Sequence, residues 1–229
     1  MITPFFQSVR QALAGVQLQE ILSLRGTPEQ KPDGSYVTKG DLLVQRLLIN
    51  AAREHLPAPY IVSEELPLSA DALPRDALVV VMDPIDGTEN FTSGLPEWGT
   101  SLSCFQGGRH IGSLIGSPEL GLWLQTGDSV TRFRSRIRGL SSSLTKEQIL
   151  EVTAGYEYRI LGCCVYNMIN AVRGSFQSFE NPKGASSWDI LGGLNLALEH
   201  GLEVTVEGKS YAGEYLQPDR KYRFKVADR

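Results

Sequence analysis

The hydrophobic and polar positions at the start of the chain follow two helical patterns separated by a polar loop. Apolar residues recur with helical spacing from Phe5 to about Leu24, and the stretch from Gly26 to Gly34 is rich in proline, glycine and charge. A second helix is predicted from Asp41, because aspartate is a favourable N-cap and the following residues keep a helical rhythm until Pro57 and Pro59. The chain therefore opens with two amphipathic helices.

Two short apolar runs then predict strands, and each strand is followed by a pair of carboxylates. The pairs are Glu64 and Glu65 after Tyr60 to Val62, and Asp83 and Asp86 after Leu78 to Met82. A turn with a capping aspartate explains one carboxylate at a strand end, but not two beside a Glu-Glu pair. Since α/β proteins place their sites at the carboxyl ends of strands, this pattern favours a functional site.

The rest of the chain is strand-rich at first and then alternates between helices and strands. An antiparallel meander is predicted with strands at Ser101 to Phe105, Ile111 to Ile115, Gly121 to Gln125 and Val130 to Ile137. Helices are predicted at Lys146 to Ala154, Cys163 to Val172 and Trp188 to His200, with strands at Tyr156 to Leu161, Phe176 to Phe179 and Glu203 to Val206. We expect one compact unit, with an N-terminal α+β subdomain at 1–138 and a C-terminal α/β subdomain at 139–229.

Composition and charge narrow the function to small-molecule chemistry. The 229 residues are 41% hydrophobic, which suits a sizeable core, and 22 basic against 26 acidic residues give a net charge of −4. This balance is too mild for a nucleic-acid binder, and no apolar run reaches the roughly 20 residues that span a bilayer. Three cysteines, two of them adjacent at Cys163 and Cys164, favour reduced thiols and a cytoplasmic location.

Magnesium chemistry fits the carboxylates at the two strand ends. Magnesium takes about six oxygen ligands, of which a protein supplies a few while water and substrate phosphate supply the others. Glu64, Asp83 and Asp86 can supply three, and the carbonyl of Ile85 adds a fourth. The backbone N–H groups of Gly87 and the residue after it could hold a phosphate if a helix begins there.

Three motifs, in this order, resemble the inositol monophosphatase family of magnesium-dependent sugar-phosphate phosphatases. They are Ser63-Glu64-Glu65, Asp83-Pro84-Ile85-Asp86-Gly87-Thr88-Glu89-Asn90-Phe91, and Trp188-Asp189 opening an apolar helix. Val37-Thr38-Lys39-Gly40-Asp41 is similar to a further family element. The resemblance extends from about Lys31 to Val206, and it implies a layered αβαβα fold with mixed sheets.

The resemblance also implies a role for each matching residue. Glu64, Asp83 and the Ile85 carbonyl would hold a first magnesium ion, and Asp83, Asp86 and Asp189 a second, with a third, looser ion near Glu64. The N–H groups of Gly87 and Thr88 would bind phosphate. Thr88 and Asp41 would orient the attacking water, and Glu180 would hydrogen-bond hydroxyl groups of the substrate.

The implied activity is hydrolysis of a small polyol or sugar phosphate by a cytoplasmic enzyme. A homodimer and sensitivity to lithium are further expectations from the resemblance. Histidinol phosphate, fructose bisphosphate and 3'-phosphoadenosine 5'-phosphate are alternative substrates within the family. A catalytically weak relative that binds a phosphorylated ligand or a partner protein is a further alternative. It rests on the shortened chain and on Leu191-Gly192-Gly193, which puts a larger side chain after Trp188-Asp189 and could alter the angle of Asp189.

Two basic features have both a functional and a solvated interpretation. Lys183 could reach a second phosphate or carboxylate of a substrate, or it could be an ordinary surface lysine. A strand through Arg132, Arg134, Arg136 and Arg138 would put four guanidinium groups on one face. That face could attract anions or a partner, but a solvated strand face that deters edge pairing is the favoured interpretation.

Overall fold

Two mixed sheets separated by helices form the framework in the computed structural model, which describes residues 2–26, 28–32, 34–67, 76–152 and 156–228. The helices are α1 (Ile2–Ala12), α2 (Gly15–Ser23), α3 (Lys39–His55), α4 (Thr88–Thr92), α5 (Lys146–Val152), α6 (Cys164–Val172) and α7 (Ser187–Glu199). The strands are β1 (Glu29–Gln30), β2 (Tyr36–Val37), β3 (Tyr60–Ser63), β4 (Leu78–Asp86), β5 (Gly99–Gln106), β6 (Arg109–Ser117), β7 (Leu122–Gln125), β8 (Ile137–Leu140), β9 (Glu157–Ile160), β10 (Ser178–Ala185), β11 (Glu203–Val206), β12 (Lys209–Ser210) and β13 (Tyr222–Ala227). None of the helices in these ranges is long and apolar enough to cross a bilayer.

The first sheet is buried on both faces. Its strand order is β3-β4-β5-β6-β7, with β3 parallel to β4 and the other pairs antiparallel. Along β4, Val80 and Met82 pack into the core formed with α1 and α3, whereas Val79 and Val81 pack into the core formed with α6 and α7. The alternation of a strand explains this division and the unbroken apolar run of β4.

The second sheet lies on the other side of α6 and α7. Its order is β12-β11-β13-β10-β8-β9, with β8 parallel to both β9 and β10 and the other pairs antiparallel. In β13, Tyr222, Phe224 and Val226 are buried, while Arg223 and Lys225 are exposed. The layered architecture with mixed sheets is therefore confirmed. The division into subdomains at 1–138 and 139–229 stays a prediction.

Several predicted boundaries in the first half are wrong for identifiable reasons. The stretch from Phe5 to Leu24 is two helices, because the chain turns at Gly15, which has a φ of 58°. Helix α3 is capped by Thr38, whose hydroxyl accepts hydrogen bonds from two backbone N–H groups, and Asp41, the third residue of the helix, closes the capping box. Asp41 is therefore not the N-cap.

The predicted strand from Val130 to Ile137 does not form. Residues 128–136 have no regular structure, and β8 begins only at Ile137, in the second sheet rather than in the meander. The four arginines therefore do not share a strand face. Arg132 pairs with Asp228 at 3.1 Å, and the guanidinium of Arg138 lies 3.3 Å from the ring centroid of Tyr156.

The second half has more strand than the sequence pattern predicts. Strand β10 continues through Ala185 instead of ending at Phe179. Both β10 and β11 pair with β13, a strand that the sequence pattern does not predict. The predicted helices at Lys146, Cys163 and Trp188 are confirmed as α5, α6 and α7 within a few residues. Ala154, at the end of the first of these predictions, lies outside the described residues.

Candidate metal and phosphate site

A cleft of about 350 Å³ collects most of the residues that the motifs single out. It is lined by the ends of β3 and β4, the start of α6 and α7, and part of β10. The predicted site residues that line it are Glu64, Asp83, Ile85, Asp86, Gly87, Thr88 and Asp189. Residues separated by more than a hundred positions thus meet in one depression between the two halves of the chain.

Three carboxylates at the floor of the cleft form a compact oxygen cluster. Glu64, Asp83 and Asp189 each offer a carboxylate oxygen, and these atoms lie within 4.8 Å of one another. Asp83 is 1% exposed, and neither of its carboxylate oxygens has a hydrogen-bond donor among the described residues. Burial, together with the charges of Glu64 and Asp189, raises the pKa of Asp83 well above its usual value. A buried carboxylate whose two oxygens lack a donor, beside two further carboxylates, fits a divalent cation.

Asp189 reaches this cluster from the start of α7. Its Oδ2 accepts a hydrogen bond from the backbone N–H of Ser186 at 2.8 Å, which closes a capping box at the helix N-terminus. Leu191 is fully buried, and a Cβ at Gly193 would lie 2.5 Å from Cγ of Met168. The small residues of α7 allow the close packing on α6, and Leu191 does not move Asp189 away from the cluster.

A bulge explains how Asp83 and Asp86 both face the cleft. In a regular strand, residues three apart point to opposite faces. Here Asp83 pairs with Ser101 and Asp86 with Gly99, so β4 has two residues between its aspartates where β5 has only Thr100. The extra residue shifts the alternation by one, and the Thr100 hydroxyl secures the bulge by donating to the Pro84 carbonyl at 2.8 Å.

Asp86 is held by the start of α6. Its Oδ2 accepts hydrogen bonds from the thiol of Cys163, at 3.0 Å, and from the backbone N–H of Val165. Burial raises the pKa of Asp86 to about 6, although the two hydrogen bonds oppose the shift. The contact fixes one carboxylate oxygen, so the orientation of Asp86 is set by the second half of the chain.

The turn after Asp86 requires glycine. Gly87 has a φ of 81°, a left-handed conformation, and a Cβ at this position would lie 2.9 Å from Cβ of Cys163. The chain enters α4 directly after it, so the first N–H groups of that helix have no acceptor within the helix. This is the part of the cleft where the motif predicts phosphate binding.

Asp41 and Thr88 meet although they lie 47 positions apart. The Thr88 hydroxyl is 3.3 Å from Oδ1 of Asp41 and 3.1 Å from the carbonyl oxygen of Ile85, and both oxygens are acceptors. Burial raises the pKa of Asp41, which is 1% exposed. The two residues of the predicted water-orienting pair are therefore in contact at the edge of the carboxylate cluster.

A lysine that the sequence motifs do not indicate, Lys31, lies beside the carboxylate cluster. The ammonium group of Lys31 is 3.0 Å from Oε1 of Glu64 and 2.5 Å from Oε1 of Glu65. Hydrogen bonds to the two carboxylates outweigh the burial of Lys31 and raise its pKa. The sequence predicts a loop at Gly26 to Gly34, but the β1–β2 hairpin forms there and brings this lysine beside Glu64.

Glu180 is not brought to the cleft. It lines a separate cavity with Arg138 and Tyr158, and its Oε2 lies 3.4 Å from Nζ of Lys225. Because side chains alternate along β10, its neighbour Asn181 faces the carboxylate-lined cleft instead, followed by Lys183. Neighbouring residues of a strand face opposite sides, so a prediction that is wrong by one position names a side chain on the opposite face.

Comparison with known proteins gives the same result as the motifs. The model of the family described as the inositol monophosphatase family matches residues 5–127. A fructose-1,6-bisphosphatase/inositol-1-monophosphatase from Thermotoga maritima is 27% identical over 187 residues, covering 74% of this chain and 70% of that protein.

Solved structures of similar proteins share the fold over almost the whole chain. The Thermotoga maritima IMPase has a TM-score of 0.76 at 22% identity, covering 97% of this chain and 90% of that one. An IMPase/NADP phosphatase complexed with Mg²⁺ and phosphate has a TM-score of 0.78 at 18% identity, covering 99% and 88%. The TM-scores show the common fold, and the match to the family model, over more than half of the chain, shows the family. The chain belongs to the inositol monophosphatase family.

Proposed function

We propose that the protein is a magnesium-dependent phosphomonoesterase that releases phosphate from a small polyol or sugar phosphate, such as an inositol monophosphate. The observation that carries the proposal is the cluster of Glu64, Asp83 and Asp189, with the unpartnered oxygens of Asp83 at its centre. Structures that bind Mg²⁺ with phosphate, or inositol phosphate, among proteins of the same fold support it. Lithium inhibition and a homodimer stay predictions.

The oxygens around the cluster would provide two magnesium positions. Glu64, Asp83 and the Ile85 carbonyl would hold the first ion, and Asp83, Asp86 and Asp189 would hold the second, with a looser third ion near Glu64. The chemistry that magnesium supplies when bound is a lowered pKa for water and neutralisation of charge on the leaving oxygen. All of the proposed ligands are hard oxygen donors, which is the set that magnesium prefers.

The remaining groups of the site would bind the phosphate of the substrate and accept the proton of the attacking water. The backbone N–H groups of Gly87 and Thr88 donate to the phosphate oxygens. Oγ of Thr88 would accept a hydrogen bond from the attacking water while the Thr88 hydroxyl donates its own proton in a hydrogen bond to Oδ1 of Asp41, and this arrangement would hold the water in line with the ester bond. The raised pKa of Asp41 makes this carboxylate a better proton acceptor than an exposed aspartate.

Phosphate release from a panel of esters tests the proposal. The panel consists of inositol 1-phosphate, histidinol phosphate, fructose 1,6-bisphosphate and 3'-phosphoadenosine 5'-phosphate, each measured with magnesium and with chelator. We expect magnesium-dependent release from at least one. Absence of release from all four, with ligand binding retained in calorimetry, would favour the catalytically weak relative instead.

A pair of matched variants tests the metal assignment. Asp86→Asn should lower turnover by orders of magnitude without unfolding the protein, because it removes one ligand charge but keeps the shape of the side chain. Asp128→Asn is the control. Among the described residues, Oδ2 of Asp128 accepts a hydrogen bond only from the backbone N–H of Gln125, at 3.0 Å, and Asp128 lies outside the cleft. An Asp86→Asn protein as active as Asp128→Asn would refute the two-metal assignment.

A further inference from the structure

The side chain of Asn90 connects α4 with the segment that leads into α6. Asn90 is the third residue of α4 and is 8% exposed. Its Nδ2 donates hydrogen bonds to the carbonyl oxygen of Glu97, at 2.7 Å, and to that of Leu161, at 2.6 Å. A primary amide has two N–H donors, and here each of them has a carbonyl acceptor. Because Asn90 and Leu161 are 71 positions apart, one side chain joins two distant parts of the chain.

Two glycine turns pack against each other beside this amide. Gly87, at the start of α4, has a φ of 81°, and Gly162, which precedes Cys163, has a φ of 73°. A Cβ at Gly87 would lie 2.9 Å from Cβ of Cys163 and 3.4 Å from the carbonyl oxygen of Gly162. A Cβ at Gly162 would lie 2.7 Å from Oδ1 of Asn90. The two turns are therefore in direct contact, and Asn90 packs against the second of them.

The segment that Asn90 holds is also the one that orients Asp86. Cys163 is the N-cap of α6, and its thiol donates to Oδ2 of Asp86 at 3.0 Å. The backbone N–H of Val165, in the first turn of the helix, donates to the same oxygen. A shift of the segment at Leu161 would move both donors together, and Asp86 would lose the orientation that they impose.

A buried asparagine that binds two carbonyl groups can also serve stability alone, by satisfying polar groups of the backbone. The position of Asn90 between the two glycine turns favours a more specific role. We propose, on the basis of the proposed phosphatase function, that Asn90 is a positioning residue for the second magnesium position. It holds the start of α6 against the Gly87 turn and so keeps Asp86 in the orientation that binds the metal.

Removal of the amide gives the first test. Asn90→Ala should raise the half-saturating magnesium concentration for phosphate release on the order of ten-fold or more, as for other groups that orient metal ligands. In the metal-free protein, the N–H of Val165 should exchange faster with solvent. Asn170→Ala is the matched control, because it removes a hydrogen bond of 2.8 Å to the Tyr166 carbonyl, outside the cleft. It should leave the magnesium concentration unchanged.

A substitution on the other side of the contact gives a second test, which also applies if Asn90→Ala does not fold. Gly162→Ala places a Cβ against Oδ1 of Asn90 and should raise the half-saturating magnesium concentration in the same way. Gly208→Ala is the control: Gly208 has a φ of 72°, and a Cβ there would meet nothing within 4 Å. The two variants share the same backbone strain, so a difference between them reports on the contact with Asn90.

A double-mutant cycle shows whether Asn90 acts through the start of α6. Asn90→Ala and Cys163→Val should each raise the half-saturating magnesium concentration. Since both weaken the same support of Asp86, the rise in the double variant should be smaller than the product of the two single effects. A rise equal to that product would mean that the residues act independently, and it would overturn the proposed route.

The outcomes distinguish failure of this proposal from failure of the proposed function. A lower thermal midpoint in Asn90→Ala, with unchanged magnesium dependence and unchanged exchange at Val165, would leave the phosphatase intact and reduce Asn90 to a stabilising residue. If the wild type hydrolyses no ester, calorimetric titration with magnesium still decides. Weaker binding in both Asn90→Ala and Gly162→Ala supports the positioning role alone, and binding equal to that of the wild type overturns it. A wild type that binds no magnesium would refute the metal site and the positioning role together.

Discussion

The hydroxyl of Thr88 lies 3.3 Å from Oδ1 of Asp41, while Oδ2 of the same carboxylate accepts hydrogen bonds from the N–H and the hydroxyl of Thr38. One carboxylate therefore has two functions. It closes the capping box of α3, and it holds Thr88 at the edge of the carboxylate cluster. The stability of a helix start and the geometry of the proposed reaction depend on the same side chain.

Substitutions of the two threonines separate these functions. Thr88→Ala should lower kcat by about 10² or more, since a positioned proton-handling group typically contributes that much, with little change in stability. Thr38→Ala should instead lower the free energy of unfolding by about 1 kcal/mol through loss of the N-cap. Steady-state phosphate release and denaturant titration measure the two effects. Equal losses of kcat in both variants would contradict the separation.

The motif residues could be predicted from the sequence because the local pattern determines their environment. An apolar strand that delivers carboxylates is a local pattern, and the strand predicted at Leu78 to Met82 is confirmed, although β4 continues through Asp83 and Asp86. The helix on which the predicted phosphate contacts depended begins at Thr88. Asp189 joins them because α7 starts at a capping box that the sequence also encodes. The cluster itself required tertiary packing of α6 and α7 between the sheets.

The errors occurred where long-range pairing or strand alternation decides the outcome. Val130 to Ile137 has an alternating pattern but has no partner strand until Ile137, so its alternation does not produce a strand. The face on which Glu180 lies depends on the register of β10 with β13, a strand that the sequence pattern did not indicate. Neither relationship is encoded within a window of neighbouring residues.

The thiol of Cys163 should influence magnesium affinity through Asp86. Cys163→Val removes the hydrogen bond to Oδ2 of Asp86, and the half-saturating magnesium concentration should rise on the order of ten-fold, as for other groups that orient metal ligands. Cys163→Ser keeps a donor and should lie closer to the wild type. Cys104→Val is the control, because Cys104 is fully buried in the core on the other face of the first sheet.

The magnesium dependence of phosphate release, together with calorimetric titration, measures this effect. An unchanged half-saturating concentration in Cys163→Val would show that the N–H of Val165 holds Asp86 without the thiol. The serine variant excludes a simple packing defect as the cause of any change.

Asp83 should destabilise the metal-free protein. Its charged form is disfavoured by burial, by Glu64 and by Asp189, so Asp83→Asn should raise the free energy of unfolding without metal, by on the order of 1–3 kcal/mol. Magnesium should stabilise the wild type by binding the folded state, and Asp83→Asn should lose most of that gain. Thermal unfolding in chelator and in excess magnesium measures both effects. A lower midpoint for Asp83→Asn in chelator would contradict the repulsion argument.

His110 should make the protein less stable in mild acid. Its Nε2 lies 2.7 Å from the hydroxyl of Ser113, its ring packs edge-to-face on Phe105 at 5.6 Å, and burial lowers its pKa to about 4. Nδ1 is 3.9 Å from Oε1 of Glu199, too far for a hydrogen bond, and that oxygen already accepts from the Thr126 hydroxyl.

The sign of the pH effect follows from the direction of this shift. The unfolded chain takes up a proton on His110 near its ordinary pKa of about 6.5, whereas the folded protein resists protonation until about pH 4. The free energy of unfolding is therefore highest above pH 6.5. Between pH 6.5 and 4, protonation of His110 in the unfolded chain lowers it by on the order of 1–3 kcal/mol. His110→Gln should flatten that slope in denaturant titrations, and His55→Gln, at the end of α3, is the control. Identical slopes in wild type and His110→Gln would show that His110 does not contribute, and that other groups, such as the buried carboxylates Asp83 and Asp189, determine how stability depends on pH.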